Sequence, residues 1–197
     1  MVYQRGHCLG EAFLPNPGRH NILNALAAIA VAVELGCDPY RAIRALASFR
    51  GTNRRFQYVG EKAGVRVFDD YAHHPTEIKA TLAAAKQIHS GRLIGLFQPH
   101  RYSRTKLLAN EFGNSFQDAD LVILTDIYSA GEPPEEGVSG ELIYQKVKQA
   151  GSKVEYFPDK NAAVQYLMTV LQAGDLVLTL GAGDIWKAGR EILENYN

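Results

Sequence analysis

Apolar positions change rhythm along this chain, and the changes mark its elements. Residues 1–20, MVYQRGHCLGEAFLPNPGRH, carry no clear period and close on a Pro/Gly pair, so they read as a short strand or extended arm followed by a turn. From Asn21 onward, Ile22, Leu26, Ile29, Ala30 and Val33 recur at intervals of three and four. That spacing predicts a helix that starts near Asn21 and stops at Gly36. Asp38-Pro39 then opens a second helix as N-cap and first-turn proline, with Ile43, Leu46 and Ala47 on one face up to about Phe49. The two read as a helical hairpin with no partner strand of its own.

Beyond Gly51 the period alternates between two and 3.6 residues. Phe56 to Gly60 and Val65 to Asp69 flank a turn containing Gly64, which predicts an antiparallel hairpin. Strand-like runs follow at Leu93 to Phe97, Leu121 to Thr125, Val154 to Phe157 and Leu176 to Leu180. Between them lie amphipathic segments near 75–89, 104–117, 139–150 and 159–172, and a last helix covers about 184–194. Continuous apolar strands separated by helices of this length imply a mostly parallel sheet covered on both faces. The expected fold class is therefore a doubly wound α/β domain from about residue 51, preceded by the helical hairpin.

Composition narrows the partners. The chain of 197 residues is 46% hydrophobic, enough for a real core, and its 21 basic and 21 acidic side chains leave no net charge. A protein that grips nucleic-acid phosphates carries a basic excess, so nucleic acid is not an expected partner. Cys8 and Cys37 cannot build a disulfide framework and show no zinc spacing, which fits a reduced cytoplasmic setting. The longest apolar stretch, Ile22 to Leu35, is interrupted by Asn24 and Glu34 and is too short to span a bilayer, and no signal segment opens the chain. No membrane partner is expected.

In an open parallel sheet, ligands sit beyond the carboxyl ends of the strands. The unusual residues of this chain fall there. Asp70-Tyr71-Ala72-His73-His74-Pro75 follows one strand, and Gln98-Pro99-His100-Arg101-Tyr102-Ser103-Arg104-Thr105 follows the next. Thr125-Asp126-Ile127-Tyr128-Ser129-Ala130-Gly131-Glu132 and Gly181-Ala182-Gly183-Asp184 follow two others. Three readings of His73-His74 stand side by side: metal ligands, packing at a helix start, or hydrogen bonding to a substrate. Adjacent histidines in an extended loop point apart and no third ligand has helical spacing to them, so no metal site is expected. Arg101 and Arg104 can share one side of a helix start and, with its N–H groups, bind a carboxylate or phosphate, or they can be a solvated pair. Arg54-Arg55 can be ordinary surface charge at a domain junction. Asn24 lies past the cap position if Asn21 caps its helix, so its side chain needs a partner, for which a ligand is one candidate. The Gly181-Ala182-Gly183 turn lacks the third glycine of a dinucleotide fingerprint, because position 186 is Trp186, and no P-loop run exists in the chain.

The strings PGRHNILNALAAIAVA, FRGTNRRFQYVG, DDYAHHPTEIKATL, FQPHRYSRT, LTDIYSAGE and LTLGAGDI, in this order and spacing, resemble the Mur ligases across nearly the whole chain. DDYAHHPTE and PHRYSRT are most similar to the branch of that family that acts on L-alanine and UDP-N-acetylmuramate. The resemblance implies an ATP-dependent, ADP-forming ligation through an acyl phosphate, with Mg2+ held mainly by a central P-loop domain. It implies that residues 1–50 are the C-terminal tail of that central domain and that 51–197 form the Rossmann-like C-terminal domain. The UDP-binding domain and the P-loop are not in these residues, so a fragment inactive alone is the expectation, with the missing N-terminal and central domains as its partners. By the same resemblance Arg55, Arg101 and Arg104 are catalytic, and His20, Asn21, Asn24 and Asp70 bind nucleotide. Tyr71, His73, His74 and His100 bind substrate on the same terms. The alternatives are the related ligase that recycles murein tripeptide, a non-catalytic nucleotide or anion module, and a dehydrogenase cofactor domain, the last disfavoured by the broken fingerprint.

Overall fold

The computed structural model describes residues 1–49 and 51–196. These divide into two compact units, Met1–Thr52 and Asn53–Asn197.

In the first unit, β1 (Val2–Gln4) and β2 (His7–Gly10) pair antiparallel. Arg5 and Gly6 join them with positive φ of 48° and 86°, as a two-residue hairpin turn of matching twist requires. Helices α1 (Arg19–Glu34) and α2 (Pro39–Leu46) follow. The expected helical hairpin thus does have strands beside it, and Val2 of β1 shares a small core with Ile29 and Ile43. Strands of three and four residues are too short for alternation to reveal. Helix α1 also begins earlier than Asn21, because Gly18 occupies the N-cap and the Asn21 amide instead donates to the Pro17 carbonyl at 2.7 Å. Its buried stripe is Ala25 and Ile29, whereas Ile22 and Leu26, expected on the inner face, are 52% and 40% exposed. At the other end the expected Gly36 stop is a Schellman turn: Cys37 N–H donates to Ala32 and Gly36 N–H to Val33, with Gly36 at φ 85°. The Asp38 carboxylate caps α2 by accepting the Arg41 N–H at 2.9 Å.

The second unit is a six-stranded sheet: β3 (Gln57–Lys62), β4 (Val65–Asp70), β5 (Leu93–Phe97), β6 (Leu121–Leu124), β7 (Val154–Tyr156) and β8 (Leu176–Leu180). The spatial order is β3-β4-β8-β5-β6-β7, with β3 antiparallel and the rest parallel. The expected doubly wound class is the observed one. Every residue of β5, β6 and β8 is buried, which is why these strands read as unbroken apolar runs.

Helices α3 (Pro75–Ile88), α5 (Ala109–Gly113) and α6 (Gly140–Gln149) cover one face through Ile78, Leu82, Phe112, Ile143 and Val147. Helices α7 (Lys160–Val170) and α8 (Trp186–Asn195) cover the other through Val164, Leu167, Ala188 and Ile192. The single helix expected over 104–117 is two, α4 (Tyr102–Leu107) and α5, parted at Leu108 where φ is −109° and ψ 16°. The break lets Phe112 pack on Phe97, ring centres 5.5 Å apart, while α4 stays with the loop that leads out of β5.

Insertion of β8 between β4 and β5 creates the point that matters for ligands. The chain leaving β4 enters a helix on one face, and the chain leaving β8 enters a helix on the opposite face. Divergence of loops at the carboxyl ends of neighbouring strands is where open sheets of this kind place their ligand crevice.

Candidate functional site

Strand β4 ends on two buried carboxylates, Asp69 and Asp70. Asp70 accepts the Phe56 N–H on one oxygen and the Ala72 N–H on the other, each at 2.7 Å. Burial pushes its carboxyl above the usual range, against the lowering effect of those two N–H groups and of Arg55. Asp69 accepts the Thr179 hydroxyl at 2.7 Å and the Arg54 Nε at 2.9 Å.

Arg54, open to reading as surface charge, is therefore held on several sides. Its other nitrogens donate to the Gly181 carbonyl at 2.6 Å and the Gly183 carbonyl at 3.1 Å, and its guanidinium lies 4.9 Å from the Tyr71 ring centre. The neighbouring Arg55 is exposed, 5.7 Å from the same ring and 3.8 Å from Glu77.

His74 is the N-cap of α3. Its Nδ1 accepts the Thr76 N–H at 3.3 Å, and Glu77 reaches back to accept the backbone N–H of His73 at 2.9 Å and of His74 at 3.1 Å. This reciprocal capping box fixes how the chain enters the helix. Burial raises the Glu77 carboxyl, but the His73 N–H, the His73 ring, the His74 N–H and Arg55 together hold it below the ordinary range. His73 Nδ1 lies 2.9 Å from the Tyr71 carbonyl and 3.4 Å from the Glu77 carboxylate.

The loops after β5 and β6 run side by side. Tyr128 N–H donates to Pro99 and Arg101 N–H to Tyr128, each at 2.9 Å, and the His100 and Tyr128 rings stack at 5.7 Å. Arg104 turns back onto His100, donating to its carbonyl at 3.2 Å and lying 3.3 Å from its Nδ1. Arg101 sits at the N-cap of α4 with φ of 73°, outside the first turn, so the two arginines do not share a helix side. Arg101 instead faces Glu132 at 3.8 Å, which also takes the Ser103 N–H and hydroxyl. Burial, then Arg104, His73 and Arg101, keep the His100 imidazole below its ordinary range, with Glu132 opposing.

The loop after β8 closes the edge. Gly181 N–H donates to Asp70 and Gln98 N–H to Leu180. A Cβ at Gly181 would stand 2.7 Å from the Gln98 carbonyl, and one at Gly183 would collide with Gln98 Oε1 and lie 2.6 Å from Tyr128. The glycines permit this close approach, and their carbonyls serve Arg54. Asp184 accepts from Lys160 at 2.6 Å and from Gln98 at 3.2 Å.

Tyr71, His73, His100 and Tyr128 thus form a row of rings at successive spacings of 5.4, 5.9 and 5.7 Å. Arg55 and Arg54 lie beside Tyr71 and Arg104 beside His100, with Asp70 at the end of β4 and His74 at the start of α3. His20, Asn21 and Asn24 belong to the first unit, on α1, where Asn24 is exposed. Sequence reasoning did not single out Glu77, although an acid three residues after a cap position is a readable signal. For Arg54, Tyr128 and Glu132 no local signal distinguished the role. Among the described residues no three His, Cys, Asp or Glu side chains gather as a metal site, and no helix is long and apolar enough to cross a membrane.

An open, mostly parallel sheet whose switch point gathers arginines, imidazoles and their carboxylate partners defines an α/β domain with its polar loops where such sheets bind ligands. The chain belongs to the Mur ligase family: residues 54–183 match the family model described as Mur ligase, glutamate ligase domain. It is 53% identical over 194 residues to the UDP-N-acetylmuramate--L-alanine ligase of Pelotomaculum thermopropionicum, an alignment that covers 98% of this chain and 42% of that protein. The crystal structure of UDP-N-acetylmuramate-alanine ligase from Thermotoga maritima superposes with a TM-score of 0.77 at 33% identity, over 95% of this chain and 40% of that one. A murein peptide ligase from Psychrobacter arcticus superposes with a TM-score of 0.70 at 26% identity, over 93% and 38%. The chain therefore spans less than half the length of these relatives.

Proposed function

We propose that this chain is the C-terminal part of an ATP-dependent, ADP-forming ligase that joins L-alanine to the carboxylate of UDP-N-acetylmuramate in peptidoglycan synthesis. The observation that carries the reading is the 53% identity, over 98% of the chain, to a ligase bearing that name. On this reading residues 1–50 are the tail of a central ATP-binding domain and 51–197 the C-terminal domain, working in the cytoplasm where ATP and UDP-sugars are made. The chain alone then performs no ligation.

The reaction moves a phosphoryl group onto a carboxylate and then replaces it with an amine, so its demands are positioning and neutralisation of negative charge. Arg55 is suited to this because it is exposed and lightly paired, and Arg104 because it is anchored beside His100. Arg101 adds a third cation once it leaves Glu132. Tyr71, His73, His74 and His100 provide the rings and imidazole nitrogens that hold the amino acid and the muramoyl carboxylate. His20, Asn21, Asn24 and Asp70 are assigned to the nucleotide. Mg2+ accompanies ATP, with its ligands assigned mainly to the central domain.

Full-length enzyme carrying this chain is expected to release ADP when given ATP, UDP-N-acetylmuramate and L-alanine, and to form the alanyl product. Product with a murein tripeptide but none with L-alanine would overturn the assignment in favour of the recycling ligase, a reading to which the likeness to the murein peptide ligase lends weight.

A further inference from the structure

The two imidazoles at the centre of the ring row are held in opposite tautomers. The Tyr71 carbonyl can only accept, so the His73 Nδ1 that lies 2.9 Å from it carries the hydrogen, and the Glu77 carboxylate 3.4 Å away favours the same arrangement. A guanidinium can only donate, so His100 Nδ1 accepts from Arg104 and its hydrogen is on Nε2. His73 Nε2 therefore has a free lone pair. It makes no hydrogen bond among the described residues, is not an enclosed orphan, and belongs to a side chain 21% exposed. The neighbouring His100, its ring centre 5.9 Å away, presents an N–H.

Resting on the ligase reading above, we propose that His73 Nε2 is the base that deprotonates the incoming amino-acid ammonium, and that Glu77 is the positioning residue that keeps it available. The ammonium N–H bond breaks with its electron pair left on nitrogen, and the proton bonds to Nε2. The freed pair forms the C–N bond at the acyl carbon, phosphate departs with the electrons of the C–O bond, and that phosphate takes the second proton lost from nitrogen. The imidazolium so formed keeps Nδ1–H on the Tyr71 carbonyl and faces Glu77, while the groups around it are His100, Tyr71 and, beyond Glu77, Arg55. The His100 N–H is left to donate to an oxygen of the same substrate. Carboxylate, imidazole and nucleophile in sequence are the usual parts of general base catalysis.

Hydroxylamine is already unprotonated at neutral pH and needs no base, and the split between kcat and KM for L-alanine separates base catalysis from binding of the amino acid. His73→Asn retains a side-chain N–H for the Tyr71 carbonyl and loses Nε2. In the full-length enzyme this variant is expected to lose about 10²-fold or more in kcat at saturating L-alanine, with a much smaller change in KM for L-alanine, and to lose far less in acyl hydroxamate formation. Equal losses with both nucleophiles, a loss confined to KM for L-alanine, or no loss with L-alanine, overturn the proposal. If wild-type enzyme forms neither product, the ligase reading itself fails, which is a different result. A measurement free of any folding question is the 15N spectrum of the His73 ring in the unsubstituted protein. It is expected to show hydrogen on Nδ1, with Glu77→Gln shifting the ring toward a mixture of tautomers; hydrogen on Nε2 in the wild type overturns the proposal.

Discussion

Arg54 Nη1 donates to the carbonyl of Gly183 at 3.1 Å, joining residues 129 positions apart. Through Nη2 the same side chain holds Gly181, and through Nε it is paired with Asp69 at the end of β4. One guanidinium thus ties the loop after β8 to the strand beside it, and the Arg54 carbonyl in turn accepts the Tyr71 N–H at 2.7 Å. The position of Tyr71, and with it one end of the ring row, depends on this tie.

Arg54→Lys keeps a positive charge for Asp69 but loses the planar fork that reaches both glycine carbonyls. Leaving those partly buried acceptors unpaired costs about 1–3 kcal/mol. The expected result is a lower urea midpoint than wild type with an unchanged slope. A midpoint equal to that of wild type would show that the tie is dispensable.

Arg55→Ala should behave in the opposite way. Its side chain is about half exposed and its ion pair with Glu77 is a long 3.8 Å, so the urea midpoint is expected to move by no more than about 0.5 kcal/mol equivalent. If Arg55 neutralises phosphoryl charge, turnover of the full-length ligase falls by about 10²–10³-fold. Steady-state ADP release read beside the unfolding curve makes the comparison, and full turnover in a folded variant would remove Arg55 from the catalytic set.

The contrast between these neighbouring arginines marks how far the sequence could be read. The strands β5, β6 and β8 were legible because burial on both faces leaves them no polar position, and the Gly36 stop because a left-handed C-cap favours glycine. The edge of the sheet that carries the polar loops was legible from where the clusters fall along the strands. Arg54 was not separable from Arg55, since its partners are backbone carbonyls that only the fold brings near. The divergence of Arg101 from Arg104 depends on a positive φ at a non-glycine residue, which residue type does not announce. The hairpin β1–β2 escaped because two short strands carry too few positions for a period.

Asp70→Asn tests the turn that presents Arg55. Both Asp70 oxygens accept backbone N–H groups, from Phe56 and Ala72, and an amide can satisfy only one while its NH2 confronts the other. Loss of one such bond with an N–H left unpaired is expected to cost about 1–3 kcal/mol, even though the substitution also removes a carboxylate that burial disfavours. The urea midpoint checks the sign directly: a variant more stable than wild type would mean that relief of the buried charge outweighs the lost hydrogen bond.

His100 gives a pH dependence whose direction follows from its surroundings. Burial, and then Arg104, His73 and Arg101, depress its imidazole in the folded protein, with Glu132 acting the other way. A base whose folded value lies below its unfolded value binds its proton more readily in the unfolded chain. Its contribution to stability is therefore complete above the ordinary imidazole range and is lost as pH falls through that range toward the lower folded value. His100→Asn cannot take the proton, so the difference in Tm between wild type and variant is expected to shrink as pH is lowered from about 8 to about 5. Paired thermal melts across that interval are the measurement, and a difference that stays constant or grows toward acid would show that the cation-rich surroundings of His100 do not govern its protonation.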